Sequence, residues 1–313
     1  MPGFWRTYGV VFVVAAIVVA LPHLVPTTFY LRIAALVFMF SLAVLGINLL
    51  MGFAGQVSLG HAGFFGIGAY AVAVLPTHFG IPSWIALIAG VIAAGLLAFI
   101  IGRPILKLKG HYLAVATLGM GILIAMVFTN EARFTGGPDG MPVPRLVLFG
   151  WTARGSETWY WISGATLVLA ALLAVNLIDS PTGRALRAIH DSEVASRVLG
   201  IDVARYKLIA FVLSAIYAAV AGAYLALFDG LVTPATAGFL RSIEFVTMAV
   251  LGGLGSIMGS IVGAALLTIL PQVFTVFHDY EHIALGLAMI VFMIFLRAGI
   301  VPSLASLFRR SPS

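Results

Sequence analysis

No Asp, Glu, Lys or Arg occurs between Arg32 and Arg103. A charge-free stretch of that length holds about three bilayer crossings at roughly 20 residues each. Further charge-free runs lie between Lys109 and Glu131, Glu157 and Asp179, Lys207 and Asp229, Glu244 and Asp279, and Glu281 and Arg297. The whole chain is 62% hydrophobic and 9% charged, against about 25% charged residues in soluble domains. No water-soluble core hides so much apolar surface, so lipid is the solvent for most of this chain.

Splitting the apolar runs at Gly and Pro clusters predicts an all-α polytopic membrane helix bundle. The approximate spans are 8–25, 29–51, 54–75, 83–101, 111–130, 159–178, 207–228, 242–256, 257–276 and 282–297. The count is about eight to ten, because Gly-rich segments can form broken or re-entrant helices. Residues 1–313 read as a single transmembrane domain that includes a loop over 180–206. Arg6 and the apolar run from Tyr8 to Leu21 mimic a signal peptide. Leu21-Pro22-His23 is a poor cleavage region, so an uncleaved first span is expected.

Basic residues set the orientation. One group is Arg103, Lys107 and Lys109; a second is Arg184, Arg187, Arg197, Arg205 and Lys207; the tail adds Arg297, Arg309 and Arg310. An even number of spans puts all three groups and both termini in the cytoplasm. The net charge of +6 then reflects cytoplasmic loops rather than a nucleic-acid surface. The 131–158 loop lies on the opposite face, and Trp159, Tyr160 and Trp161 follow it as an expected interfacial aromatic belt.

Several chemistries are excluded. With no cysteine there is no disulfide framework, thiolate metal site or Cys nucleophile. G-x-x-x-x-G-K-[ST], H-E-x-x-H and G-x-S-x-G are all missing. No catalytic or metal-ligating residue is predicted. Mid-membrane carboxylates suited to an ion relay are nearly missing too, so the chain carries no evident energy source of its own.

Four segments remain as candidates. Ser180 to Asp202 reads as two short helices. Thr182 is the expected N-cap of the first, which presents Leu186 and Ile189; Asp191 is the expected N-cap of the second, with Gly200 at its C′ position. Val194, Val198 and Leu199 give the second helix an apolar stripe. A mere connector needs no such stripe. A docking surface for another protein accounts for it, and so does an interfacial helix on the inner leaflet.

The segment from Leu50 to Tyr70 concentrates Gly with Gln56, Ser58 and His61, and Asn48 lies just before it. Polar groups at membrane depth face the bundle or a wet cavity, so these four are candidate pathway residues, with close packing as the competing account. Gly255, Gly259 and Gly263 are four apart and predict a small-residue helix seam. On that reading Gly259→Leu disrupts assembly more than Ser260→Leu. Arg241 and Glu244 are spaced for a local ion pair. Thr135-Gly-Gly-Pro-Asp-Gly-Met141 predicts an ordered turn-rich outer loop. Gly52, Gly55 and Gly63 recur as Gly252, Gly255 and Gly263; in a chain with 34 Gly, coincidence explains this as well as duplication does.

Five stretches together resemble the Liv-type permeases, the membrane subunits of branched-chain amino-acid ABC importers, and within them the LivM branch. They are Gly52-Phe-Ala-Gly-Gln-Val-Ser-Leu-Gly-His61, Lys109-Gly-His-Tyr-Leu-Ala114, Thr135-Gly-Gly-Pro138, Gly183-Arg-Ala-Leu-Arg-Ala-Ile189 through Leu199-Gly-Ile201, and Val250-Leu-Gly-Gly-Leu-Gly-Ser256. The resemblance implies a bacterial inner-membrane importer for leucine, isoleucine and valine. It implies a homologous second permease, two cytoplasmic ATPases that hold ATP and Mg, and a periplasmic substrate-binding protein; this chain itself holds no cofactor. It also implies that Gly183, Arg184, Leu186, Ala188, Ile189, Val194, Ala195, Leu199, Gly200 and Ile201 couple to an ATPase. A urea or short-amide importer remains an alternative substrate class, and an ion-coupled transporter or channel an alternative mechanism.

Overall fold

The computed structural model describes residues 2–24, 27–148, 150–274 and 299–303. The long helices are α1 (Pro2–Leu24), α2 (Thr28–Asn48), α3 (His61–Phe79), α4 (Ser83–Ile105) and α5 (His111–Asn130). After a one-turn α6 (Ala132–Thr135) come α7 (Gly155–Asp179), the short α8 (Pro181–Asp191) and α9 (Glu193–Val198), then α10 (Val203–Asp229), α11 (Phe239–Gly252) and α12 (Ile257–Phe274). A π-turn over Leu49–Phe53 continues α2. Six of these helices, with α2 and its π-turn taken as one, are long and apolar enough to cross a bilayer. The chain is an all-α, multi-pass membrane bundle.

The expected spans fall on helices with three differences. The third begins at His61 rather than at residue 54, because residues 54–60 are non-helical. The eighth, α11, has 14 residues and reaches about 21 Å, short of the roughly 30 Å hydrocarbon core. The span expected over 282–297, with Arg297, Arg309 and Arg310, lies outside the described residues.

α2 is the central post; 83% of its apolar window is buried, against 22% for α5. Helices in lipid gain little from mutual apolar contact, so close backbone approach through small residues holds them together. Between α3 and α10, a Cβ on Gly68 would lie 1.9 Å from the Ala219 carbonyl oxygen, and one on Gly222 would lie 1.9 Å from that of Phe65. α1 packs on α7, where the Tyr160 hydroxyl donates to the Val18 carbonyl at 2.7 Å.

The chain alternates between two faces. One carries residues 106–110, α8 and α9. The other carries residues 131–154 and 230–238, where β1 (Met141–Pro142) pairs antiparallel with β4 (Leu231–Val232), and β2 (Val147–Leu148) pairs with β3 (Trp151–Thr152). The Thr135–Met141 loop is ordered by left-handed Gly136, Gly137 and Gly140 and by Thr135, whose hydroxyl donates to the Phe128 carbonyl at 2.7 Å. The aromatic belt needs correction. Trp161 is 41% exposed, but Trp159 and Tyr160 are buried at 3% and 0%. Successive residues on a helix point about 100° apart, so three in a row cannot share one lipid-facing stripe.

Candidate functional site

The α8–α9 segment is capped, although not by the residues expected. Ser180, not Thr182, caps α8 and accepts from Gly183 N–H at 3.3 Å. Pro181 occupies the first helical position, which fixes the cap at the residue before it, Ser180. Ser192, not Asp191, caps α9 and accepts from Ala195 N–H at 3.2 Å, because α8 runs on through Asp191. Gly200 does sit left-handed at φ +80°. Gly200 N–H donates to Arg197 and Ile201 N–H to Ser196, a Schellman closure of α9.

The two helices face opposite ways. Ala185, Leu186 and Ile189 of α8 are buried against the bundle, and a Cβ on Gly183 would lie 2.1 Å from the Ile178 carbonyl oxygen. Gly183, Leu186 and Ile189 therefore anchor α8 and are not surface. On α9, Val194 is 68% exposed, Val198 84% and Leu199 77%. Arg184, Ala195 and Gly200 are also exposed, and Ala188 and Ile201 are half-buried. Beneath α9 the buried Lys207 pairs with Glu193 and ties the helix to α10.

α8 sits under a break in the bundle. Gly55, at φ +66°, has the His190 ring so close that a Cβ there would meet it at 3.0 Å. This elbow joins α2 to α3. A second elbow joins α11 to α12, with Gly253 at φ +118° and Gly255 at +74°. The two touch: a Cβ on Gly52 would lie 2.2 Å from the Gly255 amide nitrogen. Asn48 pins them together. Its Nδ2 donates to the Ser256 carbonyl at 2.9 Å and the Ser260 hydroxyl at 2.7 Å, and its Oδ1 accepts from Gly255 N–H at 2.8 Å. Of the recurring glycines, Gly52, Gly55, Gly252 and Gly255 lie at or beside these two breaks, while Gly63 and Gly263 lie within α3 and α12.

The start of α3 is held from four other helices. His61 Nε2–H donates to the Ala43 carbonyl at 3.0 Å, and its Nδ1 accepts from the Ser214 hydroxyl at 3.2 Å. Leu59 N–H donates to Thr117 Oγ1 and Ala62 N–H to Ser242 Oγ. Of the four expected pathway residues, Asn48 and His61 are buried and fully engaged. Gln56 and Ser58 are equally buried, at 4% and 1%, yet Gln56 Oε1 and Ser58 Oγ have no hydrogen-bond partner among the described residues. Gln56 Nε2 donates only to Ala54. Among the described residues, no Asp or Glu is buried.

The three glycines of the expected seam do not share one helix. Gly255 lies in the elbow, before α12 starts. Gly259 and Gly263 face α11, where a Cβ on Gly263 would meet the Met248 carbonyl oxygen at 1.9 Å. Ser260 is fully buried on Asn48, so it is no tolerant control for Gly259. Arg241 and Glu244 form the expected ion pair at 2.6 Å. Sequence reading missed Thr117, Ser214, Ser242 and the close approaches of Gly68 to Ala219 and of Gly222 to Phe65. Only a polar or small residue recurring on the inner face of a span could have marked them.

These elbows and capped helices belong to a multi-pass bundle built around broken spans. Residues 29–296 match the family described as branched-chain amino acid transport system / permease component, and the chain belongs to that family. It is 35% identical over 295 residues to the high-affinity branched-chain amino acid transport system permease protein LivM of Escherichia coli K12, covering 86% of this chain and 69% of that protein. It is 33% identical over the same coverage to LivM of Salmonella typhimurium LT2. It is also 27% identical over 265 residues to the permease protein LivH of Escherichia coli K12, covering 78% and 84% of the two chains. No solved structure matches.

Proposed function

We propose that this chain, as one transmembrane domain over 1–313, is a permease subunit of an ATP-driven importer of branched-chain and other hydrophobic amino acids. It resides in a bacterial inner membrane with both termini cytoplasmic, a reading supported by the basic residues gathered on the α8–α9 face. Its partners are a second permease of the same family, two cytoplasmic ATPases that bind ATP and Mg, and a periplasmic substrate-binding protein. Similarity to both LivM and LivH supports the paired permease.

One observation carries the coupling role: an exposed apolar α9 is continuous with an α8 whose His190 sits against the Gly55 elbow. A push on α9 reaches α8, then the α2–α3 break, and through Asn48 the α11–α12 break. Packed elements of this kind switch between discrete arrangements rather than deform smoothly. Arg184, Val194, Ala195, Val198, Leu199 and Gly200 would contact the ATPase. Gly183, Leu186 and Ile189 transmit its motion. Gln56 and Ser58, with unpartnered oxygens, would line the weakly polar route, while Asn48 and His61 hold its walls.

Uptake of labelled leucine into proteoliposomes tests this reading. It predicts transport that needs both permeases, both ATPases, external binding protein and internal ATP. Transport driven by an ion gradient with the ATPases omitted would overturn it.

A further inference from the structure

A cavity of about 1110 Å³ opens between α4 and α10, away from the elbows. Its mouth is basic. Arg103, Lys107, Lys109 and Arg205 line it, all are exposed, and none forms an ion pair among the described residues. The two acidic residues of the lining are already engaged: Glu193 pairs with Lys207, and Asp202 accepts from Arg205 N–H. Its floor is apolar, built by Phe99, Leu208, Val212 and Leu213. From Val203 at the mouth to Leu213 on the floor, α10 descends about 15 Å.

The floor therefore runs into the membrane zone, beside Leu96 and Ile100 of α4, which are 56% and 64% exposed. A free phosphate satisfies the mouth and leaves the floor empty. A partner protein in water does not reach that depth in a bilayer, and a second membrane chain seated here is the protein-partner outcome of the test below. A molecule with an anionic head and an apolar chain fits both parts, and basic pockets between membrane helices favour such head groups. We propose that this cavity holds one anionic glycerophospholipid, with its phosphate among Arg103, Lys107, Lys109 and Arg205 and an acyl chain in the α4–α10 groove. Arg197 and Glu193 of α9 line the same cavity, so the lipid adjoins the proposed coupling helix. The inference rests on the membrane-spanning fold and not on what is transported.

Native mass spectrometry of the full chain in detergent tests it, with phosphatidylglycerol and phosphatidylcholine as probes and inorganic phosphate as competitor. One phosphatidylglycerol should be retained at least about tenfold better than phosphatidylcholine, and inorganic phosphate should not displace it. The quadruple variant Arg103→Gln, Lys107→Gln, Lys109→Gln, Arg205→Gln should lose that preference. Val212→Trp, which fills the floor without changing charge, should reduce retention of both lipids at this site. Arg133→Gln on the opposite face should change nothing. Equal retention of the two lipids would mean an ordinary boundary lipid, and displacement by phosphate a small-anion site; either overturns the proposal. Unchanged retention in both the quadruple variant and Val212→Trp would also overturn it and leave this basic face to a protein partner.

Discussion

Asn48 is completely buried, in a place where an unsatisfied amide would be costly. It is tolerated because every polar atom of its side chain meets the α11–α12 elbow. Asn48→Ala leaves the Gly255 N–H without its acceptor, at about 1–3 kcal/mol for an orphaned group, while the Ser256 carbonyl keeps the Ser260 N–H. The variant should lose monodispersity in detergent several degrees below wild type, as read by size exclusion after heating. Gln56 holds nothing beyond its own turn, so Gln56→Ala should keep full assembly and lower transport. A thermally normal Asn48→Ala, or a Gln56→Ala with normal transport kinetics, would contradict these roles. The sequence marks both residues as unusual polar groups at membrane depth. It does not separate pin from pathway, because the partners of Asn48 lie about two hundred positions away, as with Ser256 at 208.

α8 and α9 show what an amphipathic pattern reveals and conceals. Two short helices with the second ending at Gly200 are legible, because a left-handed glycine leaves a local trace; the caps are not, because Thr182 and Asp191 suit the role as well as Ser180 and Ser192 do. Which apolar residues face the bundle is not legible either, since Leu186 and Val198 look alike in a sequence and only the fold buries one of them. Gly200→Val forces a β-branched residue into the left-handed region at about 1–2 kcal/mol and should fray the end of α9. Arg184→Glu reverses an exposed charge. Both variants should insert normally and lose ATPase co-purification and binding-protein-stimulated hydrolysis; wild-type values in both would favour an inner-leaflet role for α9 instead. In the α11–α12 pair, Gly259→Leu should lower the folded yield severely, because Gly259 faces the Gly252 and Gly253 carbonyls, 2.7 Å from a Cβ built there. Ile269→Leu, at a 43% exposed position, should be silent. Equal yields would count against the seam.

At the scale of the molecule, the charge-free runs set the helix bundle before any contact was known, because hydrocarbon admits few alternatives to helices. The breaks were harder to place. A Gly-rich stretch marks where a helix can stop, but only packing decides that α3 starts at His61, where Thr117, Ser214 and Ser242 hold its first turn. The proposed orientation rests on basic residues and is open to direct test, because the chain has no cysteine. A membrane-impermeant maleimide should label Trp151→Cys from the periplasm and Val194→Cys only after the cytoplasmic side is opened; the reverse pattern would invert the map. The central claim is that the exposed apolar face of α9 meets an ATPase and not lipid. Site-directed cross-linking from Val198→Cys in the assembled complex tests it most directly. The account predicts a cross-link to the ATPase subunit whose yield changes between the nucleotide-free and ATP-bound states. Reaction of Val198→Cys with a lipid-borne probe and with no ATPase subunit would contradict it.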